Sequence, residues 1–501
     1  MENLNELGDP PEFWEYFYQI SKIPRCSGKE DNIRQFIENE ANKLGFQTEI
    51  DHVKNLLVWI PSKLNQANKN FIVVLQSHMD MICEKNEGIK HNFSSDPLKL
   101  KLIELENEKW VTAEGTTLGA DNGVGIAYQL AIMKKISNGD LDFGPWSIKL
   151  LFTVDEEGGL LGASQIKKEM GQGAYLLNLD SEEDSKFTIG CAGGNRYKVE
   201  IKIERSILDQ NSKNSIPVKI SIKGLIGGHS GTDINKRRAN ALKLISQILW
   251  KLNKKFVIKI NSIDGGHLSN AIPREANSIF FLNERDFSEL VEEVNKNMTE
   301  IRKIFDGIET DMEIKVDKLD VFSDNTYISE EIQSRVLDIF YLLPNGPIIF
   351  HPIMNNLVHS SSNFGSIKTK EDSIKFVLSQ RSFTDYDKDV LHDKVISLLN
   401  LSKLDYRTYK YIRYPGWSPN FDSKISKIAS EIYQELFNEK VKIQAIHAGL
   451  ECAYFKYYYP QMELISFGPD ILGGHSPDER LRVESVEKIW KFLISLIKNL
   501  K

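Results

Sequence analysis

Short apolar runs in the first 180 residues predict a buried sheet. The runs lie at 46–50, 55–60, 71–75, 148–154 and 174–179, and those at 71–75 and 148–154 are rich in β-branched residues. The run at 71–75 is continuously apolar, as is typical of a central strand buried on both faces. Apolar residues at helical spacing over 29–44 and 126–133 predict helices, and Pro11 opens an earlier one. An α/β fold is therefore predicted for the first part of the chain.

The pattern changes after residue 195 and returns near residue 414. Alternation over 197–203 and 217–222 predicts half-buried antiparallel strands. Helices are predicted at 235–252, 284–305, 330–342 and 388–399, with extended segments at 351–360 and 373–378. Because strands and helices recur in similar order, two similar α+β halves are predicted within 196–413.

The final residues resume the pattern of the first domain. Helices are predicted at 421–437, 449–459 and 483–500, and strands at 441–446 and 462–467. The fold class predicted is α/β: a discontinuous mixed-sheet domain made of 1–195 and 414–501, with the α+β domain 196–413 inserted.

Composition narrows the function classes. A chain of 501 residues is too long for one hydrophobic core, so two or more domains are expected. The net charge of −7 argues against a nucleic-acid partner. The acidic segment 1–10 lacks the apolar core of a signal peptide, and no apolar run approaches a membrane span. The four cysteines (Cys26, Cys83, Cys191 and Cys452) form no CxxC pair, so neither a disulfide framework nor a thiolate zinc site is predicted. A cytoplasmic enzyme without a membrane partner is expected.

Acidic residues follow the two strands at 148–154 and 174–179. The first is followed by 155–157, three carboxylates in a row, and the second by the acidic run 180–184. Carboxyl ends of parallel strands meet at one edge of a sheet, and repelling carboxylates there require a cation. A divalent metal site is therefore predicted, against the alternative that each acidic run is simply solvated.

A histidine, His78, follows the strand at 71–75 and is expected at the same edge of the sheet. His78 and Asp80 lie on the same side of an extended backbone, so Asp80 can orient a metal-binding His78. Further on, Asp121 lies in the glycine-rich segment 116–126 before a helix, where backbone donors can hold its carboxylate. A phosphate loop is the alternative, but the spacing differs from GxxxxGK[ST] and Asp121 would repel a phosphate.

Together these motifs resemble the M20 family of two-zinc aminopeptidases and dipeptidases. The resemblance is carried, in order, by His78 with Asp80, 118–123, 155–158, 178–183 and 465–479. Within the family the Xaa-His dipeptidase branch is most similar, on the stretches 115–126, 190–194, 227–231, 270–275, 415–417 and 446–451. The resemblance spans the chain from about residue 10 onward and implies a zinc-exopeptidase-like catalytic domain with 196–413 as its lid.

The resemblance implies a role for each residue of a two-metal site. Asp121 would bridge two divalent ions, zinc being expected and manganese or cobalt being alternatives. His78 and Asp180 would bind one ion and Glu157 and His475 the other. Asp80 would orient His78, and Glu156 would be the general base that activates a metal-bound hydroxide.

The implied activity is hydrolysis of short peptides, especially Xaa-His dipeptides. A tripeptidase, a broad-specificity dipeptidase or an N-acyl amino acid deacylase of the same family is the alternative. A catalytically silent peptide sensor is the third hypothesis. It is disfavoured because all five ligands and Glu156 are present.

Five further residues are candidates for substrate contacts. His229, in a glycine-rich turn, can reach an oxyanion, unless it is a surface turn residue. Arg381 ends an apolar strand and suits a terminal carboxylate, with a structural salt bridge as the alternative. Asn270, Gly449 and Glu451 are implied by the resemblance: a side-chain hydrogen bond, a backbone contact and a contact to a substrate amine. Whether the chain is a monomer or a homodimer remains open.

Overall fold

The structure, a computed structural model, describes residues 7–64, 71–209 and 214–501. Most of the acidic segment at the N-terminus, residues 1–6, lies outside them. The α-helices in the described part are α1 Pro11–Ile20, α2 Asp31–Lys43, α3 Ala120–Asn138, α4 Glu156–Gly159, α5 Leu161–Ser164, α6 Lys168–Gly171, α7 Ala241–Lys255, α8 Phe287–Ile304, α9 Glu330–Leu342, α10 Asp385–Ser402, α11 Lys424–Phe437, α12 Cys452–Tyr458 and α13 Val483–Asn499.

The strands, again within the described ranges, are β1 Gln47–Ile50, β2 Leu56–Ile60, β3 Ile72–His78, β4 Leu100–Leu105, β5 Glu108–Ala113, β6 Ser147–Thr153, β7 Tyr175–Asn178, β8 Lys186–Cys191, β9 Gly193–Lys202, β10 Arg205–Ile207, β11 Ser215–Lys223, β12 Gly228–His229, β13 Lys259–Gly265, β14 Ala271–Ile272, β15 Ala276–Asn283, β16 Glu313–Lys318, β17 Thr326–Ile328, β18 Gly346–Phe350, β19 Val358–Thr369, β20 Ser373–Ser382, β21 Tyr406–Tyr414, β22 Lys442–Ile446, β23 Glu463–Ser466, β24 Ile471–Leu472 and β25 Arg480–Arg482.

The chain divides into two compact units. The first consists of Met1–Cys191, Trp417–Ala445 and Leu450–Lys501, and the second of Ala192–Gly416 and Ile446–Gly449. The predicted boundaries at 195 and 414 lie within a few residues of these. The segment 446–449 was expected in the catalytic domain but groups with the second unit, where the Ala192 amide donates to the Ile446 carbonyl over 3.0 Å.

An eight-stranded mixed sheet organises the first unit. Its order is β1-β2-β6-β3-β7-β23-β8-β22, with β3 parallel to both β6 and β7. Every residue of β3, β6 and β7 is buried, which explains their continuous apolar pattern. The helices α1, α3, α11 and α13 contribute to the hydrophobic core of this unit. The carboxyl ends of β3, β6 and β7 therefore lie side by side.

A four-stranded sheet in the first unit was not predicted. Its order is β24-β25-β5-β4, and β25 pairs with β5 through Arg480 opposite Thr112. Strand β4 has no buried residue, so apolar and polar residues do not alternate regularly along it. This sheet joins the segment that follows His475 to residues 108–113.

The second unit contains a larger antiparallel sheet with a repeated topology. One half has the strand order β16-β11-β15-β13, and the other has β21-β9-β20-β19. Within each half the chain runs strand, helix, strand, strand, helix, strand. The halves meet where β13 pairs with β19. Helices α7 to α10 contribute to the core of this unit.

Two predicted boundaries in the second unit are wrong. The helix predicted from residue 235 begins at Ala241, because the Asn240 side chain accepts hydrogen bonds from the Leu242 and Lys243 amides and caps it. The extended segment predicted from residue 351 becomes a strand only at Val358. No helix of the described residues combines the length and the apolar character needed to span a bilayer.

The expectation that the cysteines form no disulfide is wrong for one pair. Cys26 and Cys83 are bonded, with 5.7 Å between their Cα atoms, while Cys191 and Cys452 are buried and form no disulfide within the described part of the chain. A parallel bridge between Cys26 and Met81 brings the pair together. The two cysteines are 57 residues apart in the chain and meet only in the tertiary structure, so their spacing forms no recognisable motif.

Candidate metal centre

Three parallel strands deliver the first group of acidic and imidazole side chains. His78 is the last residue of β3, Glu157 lies four residues after the end of β6, and Asp180 lies two residues after the end of β7. His78 is almost fully buried. The remaining candidates arrive from elsewhere: Asp121 lies at the start of α3, and His475 lies between β24 and β25.

The five predicted ligands come together in two groups that share Asp121. The Nε2 atom of His78 lies 2.9 Å from Asp121 Oδ1 and 3.2 Å from Asp180 Oδ1. The Nε2 atom of His475 lies 3.1 Å from Asp121 Oδ2 and 2.8 Å from Glu157 Oε1. In each group the ligand atoms lie within 4.8 Å of one another. One imidazole and two carboxylates per group form a donor set that suits zinc and related divalent ions.

Asp80 contacts both His78 and the acidic turn. Its Oδ1 atom lies 3.3 Å from His78 Nδ1, so it can orient the imidazole. Its carboxylate also accepts hydrogen bonds from the amides of Glu156, over 3.0 Å, and Glu157, over 3.1 Å. Ser27 Oγ donates a third, over 2.8 Å. Asp80 therefore joins β3 to the turn after β6, a role that its spacing from His78 did not indicate.

Glu156 is the first residue of the short helix α4 and lies beside the ligand groups. One of its oxygens belongs to a cluster with His78 and Glu157. Burial raises its pKa well above the usual value, and Asp180, Glu157 and Glu451 add to this effect against the opposing charge of His78. A carboxylate with a raised pKa accepts a proton readily, as a general base must.

The two imidazoles of the centre and the Asp121 carboxylate stabilise one another's charged forms. Hydrogen bonds to Asp121 and Glu157 raise the pKa of His475 to about 11. Burial disfavours a charged His78, yet its pKa is raised well above the usual value by Asp180, Asp121 and Asp80. The pKa of Asp121 is lowered by the two imidazoles despite its burial. Such strong coupling is typical of a functional site.

Two acidic residues near the centre were not singled out from the sequence. Burial, together with Asp121, raises the pKa of Glu182 to about 8. Glu479 is buried and accepts hydrogen bonds from backbone amides of the segment that carries Asp121. Glu182 belongs to the acidic run 180–184, which follows the strand predicted at 174–179. Glu479 follows His475 closely but carries no signal of its own, because its partners lie about 360 residues away.

Glu451 lies in the first unit and belongs to neither ligand group. It is fully buried and accepts hydrogen bonds from Gln76 Nε2 and Thr153 Oγ1, both over 2.6 Å. Burial raises its pKa to about 7. The Gln76 side-chain oxygen also accepts a hydrogen bond from Asn178 Nδ2. This network therefore joins β3, β6 and β7 within two residues of their carboxyl ends. The structure thus gives Glu451 internal partners, and its predicted contact with a substrate amine stays a prediction.

Within the second unit, Arg381 lies between His229 and Tyr414. Its Nη2 atom is 3.2 Å from His229 Nε2, and its Nη1 atom donates to the Tyr414 hydroxyl over 2.8 Å. Arg381 is only 4% exposed, and its Nε atom has no hydrogen-bond partner. No carboxylate of the described residues forms an ion pair with it. A buried guanidinium without a carboxylate suits an anionic ligand.

The other predicted residues of the second unit lie close to this pair. His229 is paired with Ala271 in a short ladder, and the Asn270 carbonyl accepts from the Ser230 amide over 2.8 Å. The Asn270 side chain is exposed. A Cβ atom on Gly449 would lie 3.0 Å from the Tyr414 ring, so only glycine fits without displacing that ring. Sequence reasoning had not identified Tyr414.

The chain belongs to the peptidase family M20/M25/M40, whose sequence model matches residues 74–499. The predicted M20 membership is thus confirmed. The chain is 34% identical over 502 residues to the cytosol non-specific dipeptidase of Escherichia coli (strain K12), covering 100% of this chain and 99% of that protein.

Solved structures give the same picture of the fold. The aminoacylhistidine dipeptidase from Vibrio alginolyticus is similar with a TM-score of 0.85 and 33% identity, covering 98% of this chain and 97% of that chain. The aminopeptidase PepT from Bacillus cereus is similar in fold alone, with a TM-score of 0.57 and 12% identity over 98% and 99% of the two chains. The α/β fold class predicted from the sequence is confirmed.

Proposed function

We propose that this chain is a metal-dependent dipeptidase that hydrolyses short peptides, especially Xaa-His dipeptides. The observation that carries the proposal is the sharing of Asp121 by two ligand groups, since a bridged pair of cations is suited to hydrolysis of a peptide bond. The similarity over the full chain to a cytosol non-specific dipeptidase, and to an aminoacylhistidine dipeptidase, supports the substrate class. The same similarity supports a cytoplasmic location.

Two divalent ions are proposed, zinc by preference and manganese or cobalt as alternatives. His78 and Asp180 would hold one, Glu157 and His475 the other, and Asp121 both. Bound ions would polarise the scissile carbonyl and lower the pKa of the attacking water. The imidazole and carboxylate donors present in the two groups fit this assignment.

Glu156 is proposed as the general base and Asp80 as the residue that keeps it in place. Glu156 would take a proton from the attacking water and return it to the leaving amine. Asp80 accepts the Glu156 and Glu157 amides, so it holds the base and a ligand in one turn. Asp80 also lies against His78, so one carboxylate positions three functional side chains.

Arg381 and His229 are proposed to bind the substrate carboxylate and the developing oxyanion. The support is that Arg381 is buried, lacks a carboxylate partner among the described residues and lies 3.2 Å from His229. Asn270 and Gly449 are proposed as neighbouring substrate contacts. A clamp for a free C-terminal carboxylate would favour very short peptides, since the carboxylate of a dipeptide lies one residue from the scissile bond.

A substrate panel tests the proposal. The panel contains β-Ala-His, Gly-His, Ala-Leu, Ala-Ala-Ala and an N-acetyl amino acid, given to zinc-loaded protein and to the Glu156→Gln variant. We expect turnover of the dipeptides, fastest with a C-terminal histidine, and its loss in the variant. Turnover of the tripeptide or the acyl substrate alone would contradict the substrate class and favour another M20 activity. If nothing is turned over although zinc is bound, the enzymatic proposal itself fails.

A further inference from the structure

The Glu479 carboxylate holds the backbone that presents Asp121. It accepts hydrogen bonds from four consecutive amides: Leu118 over 2.7 Å, Gly119 over 2.9 Å, Ala120 over 2.7 Å and Asp121 over 3.2 Å. The first two amides bind Oε2 and the last two bind Oε1. These amides precede or begin α3, where backbone donors have no partner within the helix. Glu479 is only 2% exposed, so bulk water does not compete with its carboxylate for these amides.

The same residue belongs to the segment that carries His475. The Glu479 amide donates to the Ser476 carbonyl over 3.1 Å, and the Glu479 carbonyl accepts from Thr112 Oγ1 over 2.7 Å. Pairing of β25 with β5 begins at the next residue. The Glu479 backbone is therefore fixed, and its side chain connects the His475 segment to the Asp121 segment.

A separate contact connects the Asp121 segment to His78. Arg25 is buried and donates to the carbonyls of Met79, over 3.0 Å, and Asp80, over 2.9 Å, and also to the Gly119 carbonyl. The segment from Leu118 to Asp121 is thus joined by Arg25 to the residues after His78 and by Glu479 to the residues after His475. Loss of Glu479 would leave the Arg25 contact in place.

We propose that Glu479 is a positioning residue that sets Asp121 against His475 and so determines binding of the ion held by Asp121, Glu157 and His475. This inference rests on the proposed two-metal function and assigns to Glu479 a role in only one of the two ion sites. Residues that orient metal ligands from outside typically contribute roughly 10- to 100-fold to metal affinity. In Glu479→Gln, one oxygen becomes an NH₂ group, so two of the four amides lose their acceptor whichever way the side-chain amide is turned.

Zinc titration of the chelator-treated full chain by calorimetry tests this inference. We expect two ions to bind to the wild type. Glu479→Gln should bind one ion normally and the other roughly 10- to 100-fold more weakly, as His475→Ala should in more severe form. Glu309→Gln is a matched control, because Glu309 is also buried and accepts two backbone amides, from Ile226 and Ala239, but lies in the second unit. Its titration should equal that of the wild type.

The possible outcomes separate this inference from the proposed function. If Glu479→Gln binds both ions as the wild type does, or weakens both equally, the inference is wrong and the proposed function stands. If the wild type itself binds fewer than two ions, the proposed function fails and the inference fails with it. Circular dichroism verifies folding. If Glu479→Gln does not fold, Glu479→Asp, with a shorter reach, replaces it with the same expected loss at one ion.

Discussion

Asp121 Oδ2 lies 3.1 Å from His475 Nε2, although 354 positions separate the two residues in the chain. The other oxygen of the same carboxylate lies 2.9 Å from His78 Nε2. One short side chain thus contacts two imidazoles, one from the first and one from the last sequence segment of the first unit. Both ligand groups therefore depend on Asp121 more than on any other single residue that they contain.

Asp121→Asn should abolish dipeptide hydrolysis. The amide keeps the shape but loses the negative charge that two cations would share, so binding of both should weaken. Because metal catalysis contributes several kcal/mol, we expect activity to fall by about 10³-fold or more. Steady-state kinetics with Gly-His and metal analysis of the purified variant measure the two effects. Asp140→Asn, at an exposed position of the same unit, should leave both unchanged, and a fully active Asp121→Asn would refute the bridging role.

Zinc binding should release protons. In the metal-free protein, Asp121 and Glu157 raise the pKa of His475 to about 11, and Asp180, Asp121 and Asp80 raise that of His78 against the effect of burial. A pKa of about 11 leaves His475 protonated at neutral pH, and the raised pKa of His78 favours its protonated form, whereas a metal ligand must be neutral, so zinc binding should release protons from the imidazoles. The apparent zinc affinity should therefore fall as the pH is lowered.

Calorimetry at pH 7 in two buffers that differ in ionisation enthalpy measures this release. His475→Ala should release fewer protons than the wild type, which provides an internal comparison. Equal heats in the two buffers would show that the imidazoles are already neutral, and the assignment of protons would then be wrong.

Glu451→Gln should alter how stability depends on pH. Burial raises the pKa of Glu451 from 4.5 to about 7. A carboxyl group whose pKa is higher in the folded than in the unfolded protein contributes stability that is fully present at pH values below its unfolded-state pKa. This contribution is lost as the pH rises through its folded-state pKa. The wild type should therefore lose about 3 kcal/mol relative to the variant between pH 4 and pH 8.

Glutamine suits this comparison because both hydrogen bonds, from Gln76 and Thr153, reach the same oxygen of Glu451. The amide oxygen of the variant can accept both. Denaturant unfolding of the chelator-treated proteins at the two pH values gives the difference. A difference in unfolding free energy that does not change with pH would show that Glu451 titrates normally.

Arg381→Ala should affect substrate binding more than the chemical step. A charged hydrogen bond to a substrate carboxylate is worth a few kcal/mol, so the KM for Gly-His should rise roughly 10- to 100-fold with a smaller change in kcat. Turnover of the corresponding dipeptide amide should not change. Arg413→Ala, in the same unit but ion-paired with Asp389, is the matched control. Equal losses with the free acid and the amide would rule out a carboxylate clamp.

The strands and their acidic ends were predictable because burial dictates their composition. Strands β3, β6 and β7 have no exposed residue, so apolar runs mark them, and the ligands follow where each run stops. His475 was identified only through a resemblance to a family, since nothing local distinguishes it from other histidines. Its position depends on the tertiary structure of the first unit.

Contacts made by single side chains to distant backbone could not be predicted. Arg25 and Glu479 are ordinary charged residues in the sequence, and their roles arise from carbonyls and amides more than 50 positions away. The disulfide between Cys26 and Cys83 and the pairing of β25 with β5 were missed because these partners too are distant in the chain. Periodicity reports which face of an element is buried and carries no information about such pairings.

The repeated strand order in the second unit has a consequence for how its residues can specialise. In two identical copies related by symmetry, every substitution occurs twice. Here the copies are parts of one chain, so each can change alone. His229 belongs to the half built around β11, and Arg381 lies on β20 of the other half, yet their side chains are 3.2 Å apart. The doubled architecture can therefore present an imidazole from one copy to a guanidinium from the other, a combination that neither copy contains by itself.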